Sequence, residues 1–385
     1  MERCRFCQGE FDPATRRCVQ CGQVQPEAAP TSPADAPPQA RLSRRAMLAG
    51  LAGLAIGGVG MIGLGALALR RLLDIPHTLV IYRGHSAPIQ SIAWSPDSTL
   101  IASSALDGAV RVWDASTGST LLTYYSHDPT PYMKAAVWSP DARYIASSCL
   151  EGRVQVWEAT SGQRVALLGG VDGDDTPLAW SPDSARLALI DDLAQVWEVA
   201  PARLLLTHQS QPVQEGAIAW SPDGTRLATV VDQDNQQPAV EVWDATSGQT
   251  LLTYRGHQGG SFLQVIDTLA WSSDSTRLVS GGSDGTAQVW NATSGKRLLT
   301  YLGHKTSPFA TVTSVSWSPD GKRIVSTGSS SRDAQVWDAT TGELLLTTAS
   351  LFFDPFSVDV VAWSPDGARI ASGGEDNIVR VWQIP

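Results

Sequence analysis

The chain has 385 residues, 43 % of them hydrophobic and 17 % charged, with a formal net charge of −10. Residues 1–76 hold nine basic and six acidic groups, which leaves 19 against 32, or −13, for the remainder. So acidic a body repels phosphates and excludes nonspecific nucleic-acid binding, while basic or neutral protein partners remain open to it.

Four of the five cysteines fall at the amino terminus as Cys4-x-x-Cys7 and Cys18-x-x-Cys21, with Gly9 and Gly22 close behind. Two such pairs supply four thiolates at the spacing of a tetrahedral structural Zn²⁺ site, and a stretch this short has no other means of making a core. Four sulfurs also leave no open position for catalysis. Residues 1–25 resemble the small zinc ribbons at the start of many bacterial membrane proteins. The fifth, Cys149, reads as a small buried hydrophobe.

Residues 26–43 are rich in Pro and Ala and form a linker that cannot bury a core. Ala46 to Leu69 then runs 24 residues without a charge, between Arg41, Arg44 and Arg45 on one side and Arg70 and Arg71 on the other. A helix rising about 1.5 Å per residue over that length spans a hydrocarbon core of about 30 Å. The segment 44–69 is therefore expected to be a transmembrane helix or uncleaved signal anchor. Ser43-Arg44-Arg45-Ala46-Met47-Leu48 resembles the twin-arginine export motif. The arginine bias and the reduced thiols place the ribbon in the cytoplasm and the remainder outside, on a single-pass cell-membrane protein.

Residues 77–385 carry fourteen tryptophans in seven pairs: Trp94/Trp113, Trp138/Trp157, Trp180/Trp197, Trp220/Trp243, Trp271/Trp290, Trp317/Trp337 and Trp363/Trp382. First members lie in W-S-P-D-type tetrapeptides, with Ser273 replacing proline once, and recur 44, 42, 40, 51, 46 and 46 residues apart. Within the first unit, Ile89–Trp94, Leu100–Ser103, Val110–Trp113 and Leu121–Tyr124 read as four short strands between turns. Such a unit cannot bury its apolar face alone, so the copies must stack in a ring. This gives an all-β fold, a seven-bladed β-propeller. The chain stops after the third strand of the last unit. Residues 77–85 repeat the pattern of 251–257 and are expected to supply the missing strand, removing an exposed edge.

The repeats resemble those of WD-repeat proteins. That resemblance implies a hydrogen-bonded tetrad in each blade, made by histidine, serine or threonine, aspartate and tryptophan. His85, Ser103, Asp107 and Trp113 fit it, as do His257, Ser280, Asp284 and Trp290. His127, Ser147, Glu151 and Trp157 fit with glutamate for aspartate. Blades three and four lack the histidine, blade six has His304 with Asp333 displaced, and blade seven has Asp376 alone. Such blades should be looser or held by other contacts. The same residue types at the same phase in several blades indicate a brace rather than a catalytic triad, and the chain carries no nucleophile elbow, phosphate loop or metalloprotease motif.

Apart from Phe6 and Phe11, every phenylalanine lies between an outer strand and the next inner one. Phe262, Phe309, Phe352, Phe353 and Phe356 enter blades five, six and seven, which are neighbours. They are the partner-binding candidates, an arc of aromatics suited to an interface; the alternative is that they pack beneath their own loops. The resemblance implies a non-catalytic, membrane-tethered scaffold for protein–protein interaction. A transmembrane sensor whose propeller binds a ligand is the second reading, and an enzyme with a site in the channel is a third.

Overall fold

The computed structural model describes residues 77–125, 132–149, 153–169, 176–210, 216–233, 237–257, 266–305, 307, 310–329, 333–348 and 358–385. Among them are seven four-stranded antiparallel sheets. Blade one is typical, with Ile89–Trp94 innermost, then Leu100–Ala105, Ala109–Asp114 and Thr120–Tyr125 outermost. Each inner strand touches those of the two adjacent blades, and the first touches the last, so the circle is complete. Its closure is the expected one: His77–Tyr82 pairs with Val379–Gln383 and becomes the outer strand of blade seven.

The W-S-P-D turn owes its recurrence to serine and aspartate more than to proline. The Ser95 hydroxyl donates to Asp97 at 2.6 Å and accepts the Leu100 N–H at 2.9 Å. The same two bonds form in blade five through Ser272 and Asp274, so Ser273 costs that blade neither. The fourth turn position needs a left-handed backbone. Ser98 adopts it at φ 62°, whereas blades six and seven place Gly321 and Gly367 there.

Each tryptophan pair divides its labour between two kinds of contact. The first member reaches back to the preceding blade: Trp94, Trp180, Trp271 and Trp317 donate their indole N–H to backbone carbonyls there at 3.1–3.2 Å. In five seams an arginine of the preceding blade also lies over that ring, as Arg369 does over Trp94 at 4.8 Å. Each such contact is worth about 0.5–1 kcal/mol at a partly exposed site. In blades one, two, four, five and six the second member is buried and receives a ring from the preceding blade. Tyr82 stacks on Trp113, Tyr124 on Trp157, Tyr254 on Trp290 and Tyr301 on Trp337, with centroids 4.3–4.7 Å apart and planes within 8°. The period seen in the sequence is thus a period of seams as much as of blades.

Among the described residues no helix is long and apolar enough to cross a membrane. The ribbon at 1–25, the linker at 26–43 and the span expected at 44–69 lie outside them.

Candidate functional site

The tetrads form in the blades where the residues are complete. In blade five, His257 Nδ1 lies 2.9 Å from Asp284 and Nε2 lies 2.7 Å from the Ser280 hydroxyl, which accepts the Trp290 indole N–H at 3.2 Å. The chain of bonds is consistent with Nδ1–H donating to the carboxylate and Nε2 accepting the serine proton. Blade one repeats it, with His85 3.1 Å from Asp107, 2.8 Å from Ser103, and Trp113 donating to Ser103 at 3.1 Å. Arg111 adds a guanidinium donor to Asp107 at 2.7 Å. Burial pushes His85 below the usual histidine range despite the carboxylate beside it.

These serines cannot serve as exposed nucleophiles. Ser103 and Ser280 are fully buried, and each hydroxyl already bonds an indole and an imidazole. The geometry is that of a brace tying the loop before the inner strand to the second strand, the following turn and the third strand.

Other blades keep fragments of the brace. Trp157 donates to Ser147 in blade two, while His127 and Glu151 lie outside the described residues. In blade six His304 bonds Ser326 at 2.8 Å and Trp337 donates to the same hydroxyl. Burial drives the His304 pKa down to about 4, and burial also pushes Asp333 upward. Blade seven retains the Trp382–Ser372 bond.

Blade four also keeps the indole bond, from Trp243 to the Thr229 hydroxyl at 3.2 Å, whereas blade three does not. Blade three has Leu189 at the serine position, and Trp197 donates instead to Gln195 at 2.8 Å. At the next seam, His208, just past the outer strand Arg203–Thr207 of blade three, stacks on Trp243, with centroids 4.6 Å apart and planes 3° apart. Its Nε2 lies 3.0 Å from Glu241 and its Nδ1 2.9 Å from the Gly248 carbonyl. Ser210 donates to the same carboxylate at 2.6 Å. The imidazole hydrogen bond, ahead of the other causes, holds Glu241 below the usual glutamate range.

Sequence reading missed this pair because it sought histidine only at the place of His257, three residues beyond the tyrosine position that His208 occupies. A signal existed. His208 stands in the repeat where Tyr254 stands, and Glu241 where Gln288 stands, and Tyr254 donates to Gln288 at 2.7 Å across its own seam. Burial raises Tyr254 to about 12, so its hydroxyl remains a donor.

The partner-binding candidates Phe262, Phe309, Phe352, Phe353 and Phe356 lie outside the described residues, as do Cys4, Cys7, Cys18 and Cys21. Among the described residues no group of His, Cys, Asp and Glu could hold a metal ion. Cys149 is buried, as its sequence context implied.

Seven sheets closed around an axis, with indole-anchored braces repeating through them, define a β-propeller built from repeats. The chain belongs to the WD40 family (WD domain, G-beta repeat), which it matches over residues 77–114, 118–158, 248–291, 295–338 and 353–383, together a little over half its length. The matched stretches pass over 159–247, the region where both tetrad histidines are missing and the His208–Glu241 seam replaces them. A comparison with curated proteins found no match.

Proposed function

We propose that the protein is a non-catalytic, membrane-tethered scaffold that docks protein partners on its propeller. WD40 propellers commonly act as protein-interaction scaffolds. The observation that carries the reading here is the closure of the His–Ser–Asp sets: fully buried serines with satisfied hydroxyls leave the ring a surface to offer rather than a reactive centre. The docking face in this proposal is the end where outer strands hand over to inner ones. The connections holding Phe262, Phe309, Phe352, Phe353 and Phe356 run between such strands, on three consecutive blades. The charge of the body favours protein over nucleic acid.

The experiment compares crosslinked capture of partners by the full chain and by a Phe352→Ala/Phe353→Ala variant. Capture should fall at least tenfold, roughly the loss of one hot spot of about 1.4 kcal/mol or more, with an unchanged melting curve. Unchanged capture would remove these rings from the interface, and a lowered melting point would assign them to loop packing.

Anchoring and metal belong to the same proposal and rest on the sequence. Cys4, Cys7, Cys18 and Cys21 would hold one structural Zn²⁺ on the cytoplasmic side, with the span at 44–69 leading to an extracytoplasmic propeller. Membranes bearing the chain with a reporter fused after Pro385 should contain about one zinc per chain, lost on Cys18→Ser/Cys21→Ser substitution. Reporter activity confined to the cytoplasm would reverse the orientation.

A further inference from the structure

The inner strands share an irregularity. In five blades the pairing with the second strand slips by one residue at the same place: between Ile89 and Ser91, Met133 and Ala135, Ile266 and Thr268, Val312 and Ser314, and Val358 and Val360. A bulge leaves its extra residue outside the ladder and re-aims the side chain, and bulges are over-represented beside active sites. The residues so treated include Gln90, Lys134 and Asp267. In blades three and four the inner strand begins later, at Leu178 and Ile218, and Thr176 and Gly216 take the equivalent register.

Because the inner strands surround the axis, these positions encircle one mouth of the central channel. Gln90, Lys134, Thr176, Gly216 and Asp267, with Ala135 and Pro177, line an open cavity of about 260 Å³. That lies below the roughly 300–1,000 Å³ of sites for drug-sized ligands. Its polar groups are an amide from blade one, an ammonium from blade two, a hydroxyl from blade three and a carboxylate from blade five. Blades two and five stand as nearly opposite as a ring of seven allows, so the cation and the anion of the lining come from opposite sides of the ring. Gly216 brings no side chain into the space between.

Thr176 supplies the independent sign of a ligand. It is 2 % exposed, lines the cavity, and its hydroxyl has no hydrogen-bond partner. Leaving such a group unmet costs about 1–3 kcal/mol, a cost that a bound polar molecule removes.

We propose that this mouth binds a small free zwitterion of the α-amino-acid class, with its carboxylate on Lys134 and the Thr176 hydroxyl and its ammonium on Asp267. The inference is independent of the scaffold reading and would stand if that failed. A macromolecular side chain is disfavoured by the paired opposite charges, which match a molecule carrying both ends at once.

The test is thermal unfolding of the full chain with each standard amino acid at millimolar concentration, and with acetate and methylamine as single-charge controls. At least one amino acid should raise the midpoint, by about 5 °C at a hundredfold excess over its dissociation constant, and neither control should. Lys134→Met and Gly216→Leu should each abolish the shift, and Thr313→Val, on a bulge outside the cavity, should keep it. The proposal is overturned if no amino acid acts on the wild-type chain, if a control acts as strongly, or if the shift survives Gly216→Leu. Should one variant fail to fold, the other decides.

Discussion

Deleting residues 77–83 is expected to abolish the cooperative unfolding of the whole propeller, not of one blade. The segment supplies the outer strand of blade seven, in register with Val379–Gln383. Alternate side chains face inward: Val80 and Tyr82 are buried, and Tyr82 lies 4.3 Å from Trp113 of blade one. Burial of a large apolar side chain contributes about 1.5–3 kcal/mol, and a stacked aromatic pair about 0.5–1.5 kcal/mol more. The sum approaches the roughly 5–15 kcal/mol that separates native from unfolded states in ordinary domains. Loss of the strand also exposes the edge of blade seven and opens the seam to blade one, so the deleted chain should aggregate as well. Calorimetry provides the check. Leu79→Thr/Ile81→Thr is the matched control, because both residues are about half exposed on the opposite side of the same strand. That variant should melt within about 2 °C of the wild type, and a deletion variant that did likewise would refute the ring as a mechanical unit.

The architecture was legible because tryptophan marks each unit twice and nothing else in the chain uses it. The closing strand was legible too, since His77–Tyr82 repeats the outer-strand pattern that the last blade lacks. What the indoles do was not. Trp94 donates to Ala362 from the far end of the chain, and Arg369 covers its face. Such contacts depend on which unit follows which around the axis, and a repeat pattern alone does not give their geometry. The bulges were hidden for a different reason. Ile89-Gln90-Ser91-Ile92 reads as ordinary strand alternation, and only the paired strand reveals that Gln90 has dropped out of the ladder. Glycine turns were the easier case: Gly285, Gly321 and Gly367 all have positive φ, as their turn positions required.

The seam between blades three and four tests how a repeat family tolerates lost signature residues. Replacing His208 by alanine is expected to cost about 3–5 kcal/mol, since it strips a buried carboxylate of its imidazole partner and removes the ring stacked on Trp243. Adding Glu241→Gln to that variant should raise its stability, because the stranded charge disappears, although the same change in the wild type should lower it. That reversal of sign distinguishes a true pair from two independent packing residues. Proton linkage gives a second readout. Glu241 has a depressed pKa when folded, so its contribution is present above the ordinary glutamate value and lost as pH falls through the lowered one. With His208 absent the largest cause of that depression is gone, and less stability should be lost on acidification. His208→Tyr/Glu241→Gln writes into this seam the pair that joins blades four and five, where Tyr254 stacks on Trp290 and donates to Gln288. Its unfolding free energy should return to within about 1 kcal/mol of the wild type, the scale of one ordinary hydrogen bond. A double variant as weak as His208→Ala would mean that the two seams are not interchangeable, and that the contact to Gly248 or the Ser210 hydroxyl holds blades three and four together instead.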